Sequence, residues 1–410
     1  MEQEQSKEKK VLGVSRNVFF LGWVSFLTDV SSDMIFTVMP LFLLNVLKVS
    51  TPIIGLIEGL AEGTASLLKL VSGWLSDRLG KRKGLAVSGY TLSTLAKPFL
   101  YIANSWGVVL AVRWTDRVGK GIRSAPRDAL VADSTAANEM GRSFGFHRAM
   151  DTMGAVVGLS LAALIVYIVQ AGGLELTKES FRTLVLVGIG PAVLSVILLL
   201  FFVKERKKAK PSNSGDASSC QPQCAGTART ATDGRFKLFL VIMVIFTLGN
   251  SSDAFLILRA NDLGFSVYQV LLLFVAFNLV YALAALPAGI ISDKLGRKGI
   301  IVVGWSIYAL SYLGLALASQ VWHVWLLFAL YGLYYGVAEG VCRAFVCDLA
   351  PVEKRGTCYG WYHTAVGLSL LPASVIAGWL WHLIGPAAPF YFGAGMAATA
   401  MVGLVLFIRE

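Results

Sequence analysis

An all-α membrane protein, with twelve transmembrane helices in two pseudo-symmetric bundles of six and both termini cytoplasmic, is the fold that this sequence predicts. Its apolar content, the length of its apolar runs and an internal repeat predict it. Of 410 residues, 56% are apolar and only 15% charged, and the mean hydropathy is +0.66. A soluble chain of this length would carry far more charge to cover its surface. The apolar residues gather in runs of about 20 or more, the length that crosses a hydrocarbon core. Lipid offers backbone polar groups no partner, so such runs must be helices or closed barrels. The short alternating strands of a barrel are not seen.

In the first half the runs span residues 18–44, 52–76, 84–104, 106–132, 143–170 and 181–203. In the second they span 236–257, 267–291, 299–319, 322–349, 357–384 and 389–408. The first run is too long for a signal-peptide core and lacks a small-residue cleavage site, so it is expected to be a retained helix. Four units follow: a tail over 1–17, a bundle over 18–203, a linker over 204–235 and a second bundle over 236–410. The linker opens on KERKKAK and continues in Pro, Ser, Gly, Gln and Thr, which reads as a flexible connector. Its Cys220 and Cys224 lack further metal-type ligands, and no metal or other cofactor is expected.

Basic residues alternate between loops. Lys7, Lys9, Lys10 and Arg16, then Arg78, Lys81, Arg82 and Lys83, then Arg142, residues 204–210, Lys294, Arg297, Lys298, Lys354 and Arg355 fall on one side. Little beyond Lys48, Lys178, Arg182 and Arg259 falls on the other. Basic loops stay in the cytoplasm, which places both termini there. The net charge of +11 is mostly this bias. Being split among short loops, it does not indicate nucleic-acid binding.

The halves echo each other. FLTDVSSD, from Phe26 to Asp33, matches TLGNSSD, from Thr247 to Asp253. The loop GWLSDRLGKRK from Gly73 matches GIISDKLGRK from Gly289, and GRSFG from Gly141 matches GTCYG from Gly356. Parallel six-helix repeats suit a protein that rocks one half against the other. With these residues the sequence resembles the major facilitator superfamily over essentially its whole length. The two Asp/basic loops resemble that family's G-x-x-x-D-R/K-x-G-R/K-R/K signature. Arg117, Lys120 and Gly121 resemble its R-x-x-q-G motif, with Lys for the usual polar residue. Pro351, Arg355 and Gly356 resemble its loop motif before helix eleven. Gly145, Gly154 and Gly158 resemble its antiporter motif, but Leu159 stands where the proline belongs, so close helix contact is the plainer reading. The resemblance implies that Gly73, Asp77, Arg78, Gly80, Lys81, Asp293, Lys294, Gly296 and Arg297 form a gate that latches the bundles in the outward-open state.

Helix four is unusually charged, with Arg113, Asp116, Arg117, Lys120, Arg123, Arg127 and Asp128. A central cation costs at least about 2.5–3.5 kcal/mol in a bilayer, so these groups must face protein, water or each other. Their spacing of mainly three or four puts much of the charge on one face. Glu58, Glu62 and Lys69 in helix two and Asp29 and Asp33 in helix one supply counter-charge. Either these groups line a cavity or they only lock helices together. Asp29, Asp33, Glu62 and Asp116 are taken as proton-coupling candidates. Arg113, Arg117, Asn278, Tyr331, Tyr335 and Glu339 are taken as substrate-binding candidates, while Arg123, Arg127, Asp128 and Asp133 are taken as structural. His147, Arg148 and Asp151 suit a gate, a proton path or an ordinary surface turn.

The expectation is a monomeric, multi-pass transporter of the inner membrane, driven by protons and moving a small anionic or amphipathic organic solute by alternating access. Efflux of drugs or metal-like toxicants, and a non-transporting receptor with this fold, are the alternatives. No G-x-x-x-x-G-K-S/T, H-E-x-x-H or G-x-S-x-G pattern points to ATP hydrolysis or to an enzyme.

Overall fold

Each predicted run forms a helix or a helix with one break. A computed structural model covers the chain and describes residues 11–79, 82–135, 140–170, 175–205, 232–349 and 355–408. The tail to Lys10, most of the linker with Cys220 and Cys224, and Gly80 and Lys81 of the first signature loop lie outside these. So do the side chains of Asp77, Asp293 and Lys294.

In the first half, α1 comprises Arg16–Phe36, a break, Met39–Leu41 and a π-helical turn Phe42–Val46. Ser15 caps it, its side chain accepting from the Val18 amide. The break follows from Pro40, which has no N–H to donate to the Phe36 carbonyl. Then come α2 (Thr51–Leu79), α3 (Arg82–Ala96, with a 3-10 turn Lys97–Leu100), α4 (Trp106–Asp133), α5 (Met140–Gln170) and α6 (Lys178–Phe202). The second half comprises α7 (Thr232–Gly249 and Ala254–Asp262), α8 (Val267–Leu295), α9 (Arg297–Leu317), α10 (Val321–Leu349), α11 (Arg355–Leu383) and α12 (Ala388–Phe407).

The sequence predicts α7 as one continuous span, whereas the structure breaks it across Asn250, Ser251, Ser252 and Asp253. Short polar side chains compete with the helical ladder for backbone groups. The freed groups find partners: the Ser252 amide donates to Ser374 Oγ at 3.3 Å, the Ala254 amide to Ser252 Oγ at 3.3 Å, and Tyr308 donates to the Gly249 carbonyl at 2.8 Å. Irregular backbone is tolerated at membrane depth where protein re-satisfies it.

In the first half α1 packs on α5 and α6, and α4 on α2 and α3; in the second, α10 packs on α8 and α9, and α12 on α7 and α9. Two of the glycines read as small contact residues, Gly154 and Gly158, act as such. A side chain at Gly154 would come within 2.5 Å of the Phe26 carbonyl, and one at Gly158 within 2.5 Å of the Val30 carbonyl, so α5 lies directly on α1. The outer surface is apolar, with Leu186, Phe201, Leu283, Leu310 and Phe407 exposed as a lipid-facing girdle requires. Among the described residues, nine spans are apolar and long enough to cross a membrane by composition; α2, α3 and α4 are not among them. The first and last of these three carry the charges described next, turned inward.

Two seams join the halves, α2 against α11 and α5 against α8. The α2–α11 seam is closed at the end away from the basic loops. There Thr51 donates to the Gly378 carbonyl at 3.2 Å, and the α2 backbone at Gly55 and Gly59 touches that of α11 at Ser374 and Leu371. Tyr167 of α5 meets Tyr268 of α8 edge-on.

Candidate functional site

A cavity of about 1540 Å³ lies between the halves, towards the end that carries the basic loops. Its first wall includes Asp29 of α1, Lys69 of α2, Lys120, Arg123, Arg127 and Asp128 of α4, and His147 and Asp151 of α5. Its second includes Tyr281 of α8, Glu339 and Arg343 of α10, and Trp361 and His363 of α11. Among the described lining residues, lysines and arginines outnumber carboxylates.

Behind the first wall the charges of α2 and α4 neutralise one another. Arg113 donates to Glu58 at 2.8 Å, both side chains almost wholly buried, and its guanidinium lies 4.7 Å from the centre of the Phe36 ring. Arg117 pairs with Glu62 at 3.2 Å. One helical turn separates each successive member on both helices, so two complementary rows zip together. Asp116 is buried, and its backbone carbonyl accepts from Ser93. Lys97, which the sequence reading passed over, is 1% exposed. It donates to Ser31 at 2.7 Å and Ser32 at 3.1 Å. A Lys-Pro step inside an apolar run was the available signal, since an intramembrane cation needs a partner.

The predicted site residues divide between the cavity lining and the packed interior. Of the proton-coupling candidates, Asp29 lines the cavity; Asp33, Glu62 and Asp116 do not. Of the substrate-binding candidates, Glu339 lines it; Arg113, Arg117, Asn278, Tyr331 and Tyr335 do not. Asn278 spends its amide on the Phe274 carbonyl at 2.8 Å. Tyr331 donates to Asp253 at 2.8 Å within an aromatic cluster that includes Phe277, Tyr308, Tyr312, Tyr334 and Tyr335. Within it the Tyr308 and Tyr331 hydroxyls find partners inside the second half, and none of these tyrosines lines the cavity.

Of the residues assigned to structure or left between roles, Arg123, Arg127, Asp128, His147, Arg148 and Asp151 line the cavity, and Asp133 does not. Arg127 pairs with Asp128 at 2.9 Å and donates to Ser25 at 3.2 Å. Ser25 also lies 2.9 Å from His147 Nε2, whose Nδ1 faces Asp151 at 3.7 Å. Arg148 crosses to the other half, donating to the Tyr281 hydroxyl at 2.8 Å, and Tyr281 donates to Glu339 at 3.0 Å. Glu339 in turn pairs with Arg343. This chain braces α5 against α8 and α10 in the present conformation. Tyr281→Phe keeps the ring and removes both bonds, so it is expected to shift the population towards the alternative conformation. Spin-label distances across the cavity mouth measure this; a wild-type distribution would count against the brace.

At the basic end, Gly296 sits at φ +91°, a left-handed conformation that favours glycine at this tight turn. Arg297 pairs with Asp348, and Arg82 with Asp133, at equivalent places in the two halves. Arg78 lies over the Trp74 ring, 5.3 Å from its centre, and Gly73 lines the cavity.

Two six-helix halves around a charged cavity, sealed at one end, define the fold of a secondary transporter. The sequence matches the Major Facilitator Superfamily over residues 21–258 and 238–410, and the chain belongs to that family. It is 37% identical, over 96% of its length and 95% of the relative's, to an uncharacterised MFS-type transporter of Methanocaldococcus jannaschii. Its fold is similar to that of the nucleoside transporter NupG, with a TM-score of 0.78 at 12% identity, covering 96% of this chain and 100% of the other. A D-xylose-proton symporter is similar at a TM-score of 0.74 and 17% identity, covering 96% and 97%.

Proposed function

We propose that the protein is a proton-coupled secondary transporter that moves a small organic anion across the inner membrane by alternating access. The observation that carries this reading is the cavity, open towards one end of the bundle and bounded by more basic than acidic side chains. With the basic loops assigned to the cytoplasm, the conformation is inward-open. The solute's charge follows from the surplus of cations at membrane depth, which a ligand anion neutralises. Exposed aromatic rings at Trp74, Trp361 and Phe144 offer its apolar part a surface.

Asp29 is the proton carrier in this reading. It lines the cavity, lies within electrostatic range of Asp151 and Lys120, and has no hydrogen bond or ion pair with a described residue. Neutralising it on protonation changes the field in the cavity and biases the two-state equilibrium of the halves. The fold it shares with a proton symporter supports the coupling. Asp29→Asn is expected to abolish solute accumulation driven by a pH gradient in proteoliposomes while leaving exchange down a solute gradient. Solutes come from a thermal-stabilisation screen of organic anions. Accumulation that ignores a protonophore in the wild-type protein would overturn proton coupling, and wild-type accumulation by Asp29→Asn would overturn the role of Asp29.

A further inference from the structure

Six lysine and arginine side chains line the cavity, and four of them are engaged. Arg123 donates to Ser93 at 2.6 Å and lies over the Tyr90 ring. Arg127 is paired with Asp128, Arg148 is bound to Tyr281, and Arg343 is paired with Glu339. Lys69 and Lys120 are the remaining two, and neither side chain makes a hydrogen bond or ion pair with a described residue. The nearby carboxylates of α2 are already committed, Glu58 to Arg113 and Glu62 to Arg117.

The backbone brings the positions of these two lysines to one helix crossing. Gly121 follows Lys120, Leu68 precedes Lys69, and a side chain at Gly121 would lie 2.5 Å from Leu68 Cβ. Ser72 fastens the same crossing by donating to the Gly121 carbonyl at 2.8 Å. The lysines thus flank a close contact of α2 with α4, and both line the cavity. Two cations on one wall of a cavity in a bilayer interior raise each other's energy unless an anion sits between them. Ser66, one helical turn before Lys69 and also on the lining, adds a hydroxyl donor.

We propose that Lys69 and Lys120 form the headgroup site for the solute, gripping the carboxylate or phosphate of an organic anion while its apolar part extends towards Trp361. This rests on the anionic-solute reading and moves the anion contact from the paired Arg113 and Arg117 to the two unpaired lysines. Lysine suits the task as a compact point charge on a flexible stem, able to follow an anion as the halves move.

The test uses a headgroup series on a constant ring: benzoate, phenyl phosphate, benzyl alcohol and benzylammonium, at matched ionic strength. Each is titrated against the purified full-length chain, with stabilisation read from the melting curve. Benzoate or phenyl phosphate is expected to stabilise the protein, and benzyl alcohol and benzylammonium are not. Lys69→Gln and Lys120→Gln should each weaken the anion at least tenfold, and Lys120→Arg should retain most of the binding. Both Gln variants should keep a cooperative melting transition without ligand, so that lost anion binding is read on a folded protein. Anion binding that survives in the double Gln variant overturns the lysine site and leaves the anionic reading standing. Stabilisation by benzylammonium alone, or by no member of the series, overturns both.

Discussion

Glu58→Gln is expected to destabilise the unliganded protein by about 3–5 kcal/mol, the cost of breaking one partner out of a buried ion pair, while anion affinity in the cavity stays near wild type. Arg113 Nε and Nη1 and Glu58 Oε1 are buried with no partner among the described residues. The 2.8 Å bond is therefore the main compensation for burying both charges. Without the carboxylate, the guanidinium keeps only Phe36 and the more distant Glu62, at 4.0 Å from Arg113. Arg113→Lys should likewise lower the melting temperature more than ligand affinity, since the lysine lacks the planar fork. Replacing both partners by leucine should recover most of the stability, because two matched apolar groups carry no desolvation penalty. Melting curves in mild detergent, with ligand titrations on the same samples, distinguish a packing pair from a solute site. A tenfold loss of affinity in Arg113→Lys at an unchanged melting temperature would put Arg113 back among the solute ligands.

The fold was readable because its main signals are periodic and local. Run length placed the helices to within a few residues, and the matching Asp/basic loops disclosed the repeat. The α7 break was hidden because Asn250 to Asp253 lies in an apolar run, and the matching Ser31, Ser32 and Asp33 of α1 lie in unbroken helix. The site was less legible for a different reason. Sequence showed that charge was concentrated on α2 and α4, and spacing put it on one face, but a face has depth as well as direction. Whether Arg113 meets Glu58 or a solute depends on the crossing of two helices, fixed by Gly121 against Leu68. One turn further along α4, the same stripe leaves the zipped rows and enters the cavity at Lys120. Depth along the stripe separates paired charges from available ones, and only tertiary structure supplies it. Tyr281 belongs to no motif, and only the cross-half partner Arg148 gives its hydroxyl a role.

Gly55→Val is expected to reduce transport at least tenfold by preventing closure of the seam opposite the basic loops. A Cβ at Gly55 would stand 2.2 Å from the Ser374 carbonyl oxygen, a rigid backbone atom that cannot swing aside. Across the same seam a Cβ at Gly378 would stand 2.7 Å from the Thr51 carbonyl. The two backbones are thus in direct contact, and even one added carbon must separate them. The separation acts on one conformation. In the proposed alternating-access cycle, α2 and α11 part here when this end opens, which frees the added side chain from that contact. Val therefore penalises the present conformation selectively, and about 1.4 kcal/mol of such bias moves the ratio of states tenfold. Packing of α2 on α4 lies on another face of α2, so the half-bundle itself should still fold. Gly190→Val on α6 is the control: nothing lies within 4 Å of its added Cβ, so it changes helix propensity and lipid contact alone. A cysteine placed at Ser374 reports the outcome through its reaction with a membrane-impermeant maleimide applied from the side of the closed seam. In the Gly55→Val background that reaction should accelerate as transport falls, and in the Gly190→Val background neither should change. Wild-type labelling and wild-type transport in Gly55→Val would show that the α2–α11 contact is not the seal.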